Sequence, residues 1–471
     1  MSESDTPIGP DLCFLPVRTL SDRIRRRQLS PVALTRGYLD RLERIGPLLG
    51  AVVSATGDLA LAEAKSAETE IAAGTWRGPL HGIPYGVKDL LATAGIPTTW
   101  GAEPLRNQLF DFDATVVRKL REAGAVLAGK LSMIELAGAF GYNNPDASLT
   151  GPCRNPWNAA FWAGGSSSGP AAAVAAGLVG FSIGSEISGS IITPAAFSGV
   201  SGLRPTYGRV SRHGAMPLSP TLDKLGPIGR TAEDCGFVMA AIAGSDPFDP
   251  AAVDRPWRPV APARRRFRLG VIRGSARWAQ PDVKKNFEEA VALLGTFCDV
   301  EDEVPFPDFP FGPSISTLIR SDAASAFRAL IESGAVRRLR AAGRERSGFS
   351  TSAASAADYR TAQKLRVPIT EALERLYASY DALLSPSCPT VASPIGVDFD
   401  KAYPGAGEGP AVIPAGNLAG QPAITVPSGF GQNGLPTAIL FTGRAFSDET
   451  LVAIATAYQR RTDWHTRRPP V

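Results

Sequence analysis

Polar and apolar positions along this chain alternate between helical and strand periods. Ser30 and Pro31 form an N-cap followed by proline at the first helical position, and Leu34, Tyr38, Leu39, Leu42 and Ile45 then recur on one face. Ile83–Val87 reads as a strand. Asp113 is placed to cap a helix carrying Val116, Val117 and Leu120, Gly124 ends it, and Ala125–Ala128 reads as a buried strand. Pro170 opens an alanine-rich helix that Gly177 closes, Val179–Ile183 is a further strand, and Pro194–Phe197 fits a short buried helix. Phe267–Ile272, Asp381–Leu384 and Ala423–Val426 read as strands, and Asp448–Arg460 as a closing helix. Such alternation predicts an α/β sheet covered by helices on both faces.

The stretch Ser245–Ala263 is rich in Pro, Asp and Ala, but α/β patterning resumes at Phe267. It is therefore read as a surface excursion within one domain spanning 1–471, with an external, variable helical layer at 306–350 that includes Ser314–Arg346. There is no internal repeat. Of 471 residues, 44% are hydrophobic and 20% charged, which is the balance of a soluble globular chain with ample core. The net charge of +4 is small, and Arg25–Arg27 and Arg264–Arg266 lack interleaved aromatics. These runs read as solvated faces, so no nucleic-acid partner is expected. The five cysteines show no CxxC pairing and suit reduced thiols in a cytoplasmic protein. The first residues lack a basic n-region and apolar h-region, and Gly and Ser interrupt the best candidate span, Ala171–Ile183, so no membrane partner is expected.

Between Gly164 and Thr206 glycine and serine are dense, yet apolar runs break them up, unlike a flexible linker. Buried glycine lets main chain approach main chain or substrate, and buried hydroxyls need partners. The stretch reads as an active site built from main chain and serine. His81, His213 and His465 form no HExxH and no His/Cys/Asp cluster, so a metal hydrolase is not expected, and neither metal nor cofactor is called for. Gly165–Gly169 fits G-x-S-x-G by letter, but Pro156 and Asn158 stand where that motif needs a buried strand. Gly124–Leu131 fits a P-loop up to Leu131, which cannot hold Mg²⁺. A serine nucleophile without histidine still needs a base, and neutral lysine can replace it. Lys88 ends an apolar strand; its ammonium is either desolvated with a lowered pKa or snorkels to solvent.

Gly164-Gly-Ser-Ser-Ser-Gly169, Ser185-Glu-Ile-Ser-Gly-Ser190 and Pro194-Ala-Ala-Phe-Ser-Gly-Val-Ser-Gly-Leu-Arg-Pro-Thr206 resemble, in order, blocks of the amidase signature family. His81-Gly-Ile-Pro-Tyr-Gly-Val-Lys-Asp89 is similar to that family's lysine strand, and Gly208–Ser211, Leu222–Pro227, Asn417–Pro422 and Asp463–His465 to its later blocks. The resemblance implies a central mixed, twisted sheet whose core, 70–240, carries a Ser–cis-Ser–Lys triad. Ser190 would be the nucleophile, Ser166 the bridging serine after a cis peptide bond, and Lys88 the base. It also implies an oxyanion hole from the main-chain N–H groups of Ile187, Ser188, Gly189 and Ser190. Tyr142, Ile187, Arg209 and Leu222 are candidates to border the substrate.

The family commonly has Thr-Asp-x-Gly-Gly-Ser-x-Arg around the nucleophile. Here Glu186 replaces the Asp, Ser188 replaces the first Gly, and Ile192 stands where Arg is usual. Glu186 must find another partner or, buried unpaired, titrate high. The enzyme expected is an amidase that cleaves the C–N bond of a small, neutral, partly apolar amide through acyl-Ser190. The same machinery would act on esters and carbamates, and the resemblance extends to members that hydrolyse small aryl amides or urethanes. Two rivals stand beside it: the glutamine-hydrolysing subunit of a tRNA-dependent amidotransferase, which needs partner chains and charged groups for the α-amino and α-carboxylate ends, and a non-catalytic scaffold. A homodimer is left open.

Overall fold

The apolar runs assemble into one eleven-stranded mixed sheet flanked by helices. The structure, a computed structural model, describes residues 8–260, 266–340, 354–407 and 409–471. Its strands are β1 (Val52–Ala55), β2 (Pro84–Lys88), β3 (Val126–Leu131), β4 (Arg154–Asn155), β5 (Asn158–Trp162), β6 (Phe181–Glu186) and β7 (Ser201–Arg204). They continue with β8 (Lys224–Gly229), β9 (Arg268–Ile272), β10 (Asp299–Val304), β11 (Ala382–Pro386), β12 (Ala423–Phe430) and β13 (Pro436–Thr442). In space the order is β1-β3-β2-β6-β8-β7-β12-β13-β11-β9-β10, with β4 and β5 paired separately. β2 runs parallel to both β3 and β6, whereas β8 is antiparallel to β6. Every residue of β2, β3, β8 and β11 is buried, as strands covered on both faces require.

Local sequence explains most element starts. Ser30 Oγ accepts the Ala33 N–H at 3.1 Å and caps the helix Pro31–Leu49. The alanine-rich helix runs Ser168–Ala175, beginning before Pro170, and it and the helix Ile192–Ser198 are buried throughout. Asp113 does not cap the helix Thr115–Glu122, whose N-cap is Ala114. Its carboxylate instead accepts the Ala94 N–H at 2.9 Å and pairs with Arg121. The P-loop-like stretch is β3, and Lys130 faces Asp89 at 3.4 Å, Thr98 Oγ1 at 2.6 Å and the Leu91 carbonyl at 2.7 Å. The helical layer contains Phe311–Ala326 and Arg328–Glu332; residues 341–353 lie outside the described residues, as do Arg264 and Arg265.

Residues 245–260 carry no helix or strand and are pinned against the fold. Asp246 and Asp249 are buried, and the Val253 N–H donates to the Gly208 carbonyl at 2.9 Å. Phe248, Asp249 and Pro250 reach a cavity that also holds Ser190. All five cysteines are free and buried. Among the described residues no helix is long and apolar enough to cross a membrane.

The serine-bearing helix meets the sheet at Gly169. A Cβ there would lie 2.4 Å from the Ser132 nitrogen and 2.5 Å from the Ala51 carbonyl oxygen, and both are main chain that cannot step aside cheaply. Gly169→Ala is expected to cost about 1–3 kcal/mol, read as a lower midpoint in urea unfolding.

Candidate active site

Three stretches of chain converge at the carboxyl end of β2 and β6. β2 delivers Lys88 at its last residue, with the side chain 0% exposed. The Lys88 Nζ lies 2.7 Å from Ser166 Oγ and 2.9 Å from Ser185 Oγ, and donates to both. Burial pushes its pKa down to about 7, against the opposing pull of Glu186 and Asp223. The choice between desolvation and snorkelling falls to desolvation. Ser166 follows a cis Gly165–Ser166 peptide bond, and its carbonyl accepts the Ile134 N–H at 3.2 Å. The Tyr142 hydroxyl donates to the Gly165 carbonyl in that same linkage.

Ser190 is 3% exposed and stands in the turn between β6 and the helix Ile192–Ser198. Its carbonyl accepts the Ser167 N–H at 3.2 Å, which ties this turn to the serine segment. Gly189 takes φ +85°, the left-handed region that favours glycine, while Ser188 does not. The serine at 188 is thus accommodated because the next residue makes the turn. Among the described residues the N–H groups of Ser188, Gly189 and Ser190 donate to no protein group. These are three of the four N–H groups, Ile187 to Ser190, that were expected to form an oxyanion hole.

The missing brace has a replacement. One oxygen of Glu186 accepts the N–H groups of Ile191 and Ile192 at 2.8 and 3.1 Å. The other receives Arg204 Nη1 at 3.1 Å and Asn417 Nδ2 at 2.9 Å. Burial alone would raise the Glu186 pKa; Arg204, Asn417 and the two N–H groups outweigh it and hold the carboxylate below its ordinary 4.5. Ile192, where an arginine is usual, contributes main chain only to this contact.

Two cavities meet at Ala137, Ile187 and Ser190. One, about 290 Å³, holds Ser166, Ser185 and Ser190 beneath a wall that includes Met216, Leu218 and Asp223. The other, about 510 Å³, runs past Tyr142, Ser188 and Arg320. Of the substrate-bordering candidates, Tyr142 and Ile187 line these cavities and Arg209 and Leu222 do not. Arg209 is 1% exposed because its guanidinium is turned to Glu449 and Asp448 and stacked near Trp257. Leu222 is a fully buried core side chain. Sequence reasoning passed over Ser185, Arg204, Asn417 and Asp223. All four lie in blocks that carried the resemblance, but nothing in their spacing gives their partners.

Residues 33–452 match the family model described as Amidase, and the chain belongs to that family, the amidase signature enzymes. It is 38% identical over 481 residues to a glutamyl-tRNA(Gln) amidotransferase subunit from Roseiflexus sp. strain RS-1, covering 96% of this chain and 98% of that one. Among solved structures it is similar to the native peptide amidase of Stenotrophomonas maltophilia, with a TM-score of 0.85, 33% identity, and 97% and 98% of the two chains covered. It is also similar to the corresponding glutamyl-tRNA(Gln) amidotransferase subunit from Thermotoga maritima, with a TM-score of 0.78, 29% identity, and 98% and 99% covered.

Removing the Glu186 charge leaves Arg204 buried and unpaired. Glu186→Gln is expected to cost about 3–5 kcal/mol, measured by urea unfolding near neutral pH. Because the folded carboxylate titrates below 4.5, the wild-type contribution is complete above that pH and is lost as the pH falls through the depressed value. The gap between wild type and variant should close accordingly in acid.

Proposed function

We propose that the chain hydrolyses an amide C–N bond through an acyl-Ser190 intermediate. The observation that carries this reading is the contact between Lys88 and Ser166, made by an amine whose pKa burial lowers to about 7. Neutral Lys88 accepts the Ser166 proton as Ser166 accepts that of Ser190, and Ser190 Oγ attacks the carbonyl carbon. The oxyanion forms at the N–H groups of the 187–190 turn, where donors act on charge present only in the transition state. Collapse breaks the C–N bond while Ser166 passes its proton to the leaving nitrogen. Water then attacks the acyl-enzyme, giving its proton to the same relay, and Ser190 leaves with a proton restored. Glu186 and Arg204 keep the turn aimed without touching substrate.

For the substrate, the sequence relatives support the amidotransferase reading more strongly than the small-molecule amidase that the sequence alone suggests. Full-length relatives described as this glutamyl-tRNA(Gln) amidotransferase subunit reach 34–38% identity. In that reading the amide is glutamine's, partner subunits complete the enzyme, and tRNA is met by the assembly. The second reading, a small neutral amide, is favoured by the cavity wall. Arg212, the guanidinium in the smaller cavity, is held by both carboxylate oxygens of Asp249, at 2.9 and 2.8 Å, so among the described residues a glutamine carboxylate finds no uncommitted cation there, and Arg320 lines the larger cavity instead. The likeness to the peptide amidase supports it as well.

A panel of glutamine, peptide amides, anilides, esters and carbamates, with and without amidotransferase partner subunits, separates the two. Hydrolysis of neutral amides by the chain alone selects the second reading; glutamine turnover that needs partners selects the first. In either case Ser190→Ala and Lys88→Ala should lower kcat/KM by about a thousand-fold or more. Because Lys88 must be neutral, kcat/KM should rise with pH through about 7 and level off above it. A fluorophosphonate that fails to label Ser190 would sink both readings.

A further inference from the structure

The smaller cavity beside Ser190 is lined in part by the rings of Phe248 and His213, which neither the proton relay nor the oxyanion turn uses. Phe248 lines it while remaining 69% exposed. Its ring stacks on the His213 imidazole at 4.9 Å between centroids, 28° from parallel, and Phe112 stacks on the same imidazole at 5.4 Å. A single exposed phenylalanine needs no explanation, but this one is fixed in place. Asp246 Oδ1 accepts the Phe248 N–H at 3.1 Å, and Asp246 Oδ2 receives the hydroxyls of Thr115 and Ser211. Asp249, the next residue along, clamps Arg212 and accepts the Ala251 N–H at 3.1 Å. Met216, Leu218 and Pro220 belong to the same apolar lining.

We propose that this wall is a specificity subsite for an apolar, ring-bearing group on one side of the scissile amide, with the ring against Phe248 and His213 and the carbonyl at Ser190. The inference rests on the acyl-Ser190 reading in its second form, a small neutral amide, and names the class of that substrate. Size permits it, since roughly 150 Å³ suffices for benzene and this cavity measures about 290 Å³. The chemistry favours it because aromatic faces reward an offset ring beyond simple burial. A zwitterionic α-carbon is less suited, since Arg212 and Asp249 already satisfy each other.

The test compares phenylacetamide with propionamide and glutamine on wild type and Phe248→Ala, a surface change that leaves the core untouched. Phe248→Ala should raise KM for phenylacetamide roughly five-fold or more through lost stacking and burial, and raise the propionamide KM far less. Phe248→Tyr should restore wild-type behaviour. Phenylacetamide binding to Ser190→Ala, followed by calorimetry with and without Phe248→Ala, gives a readout independent of turnover. Ring binding that depends on Phe248 without any turnover by wild type would keep the subsite and refute the reaction. Equal effects on phenylacetamide and propionamide, no effect on either, or a lower KM for glutamine than for phenylacetamide would overturn the subsite.

Discussion

An amine kept out of water, with hydroxyls rather than a carboxylate for company, is the constraint on which the site depends. Three lysines, Lys88, Lys130 and Lys224, are buried in one half of the sheet, and burial lowers the pKa of each. Lys130 has Asp89 at 3.4 Å, which draws it back up to about 8, and Lys224 donates to the Leu222 carbonyl. Lys88 alone of the three meets serine hydroxyls in a cavity that also holds Ser190. Without an ion partner at contact distance among the described residues, its neutral form is accessible near pH 7, and only that form can accept a proton. The parallel pairing of β2 with β6 makes this possible, because it brings the ends of both strands to one place.

The same economy of charge governs the turn that holds Ser190. A carboxylate at 186 without an arginine at 192 would be an uncompensated buried charge. Arg204 from β7 and Asn417 from the helix Val412–Leu418 reach it instead. The result fixes two main-chain N–H groups at the start of the helix after Ser190, so the turn is braced through its far side while its near side faces the cavities.

How far the sequence alone could reach follows from where each interaction is encoded. The strands around Lys88 and Ser185 were legible within a few residues because burial on both faces leaves continuous apolar runs. That Lys88, Ser166 and Ser190 belong together was an expectation carried by the resemblance, since all three sit in its blocks; the structure sets Lys88 against Ser166, and Ser166 and Ser190 in one cavity. Arg209 and Leu222 belong to such blocks, yet they pack away from the cavities: the partners of Arg209 lie some 240 positions later, at Asp448 and Glu449. Asp113 had the chemistry of a cap, but Arg121 and the Ala94 N–H compete for its carboxylate. The loop 245–260 reads as a surface excursion from its Pro and Asp content, and most of it is exposed; what the sequence leaves unsaid is that Asp246 and Asp249 turn inward and tie it down. Pairings across the sheet, such as Glu186 with Asn417 at a separation of 231 residues, leave no local trace.

The two cavities touch through Ala137, Ile187 and Ser190 and otherwise have separate linings. If the proposed cleavage takes place there, the two halves of the molecule would rest against unlike surroundings, one largely apolar around Met216 and Leu218 and the other past Tyr142 and Arg320, so each side could be altered without disturbing the other.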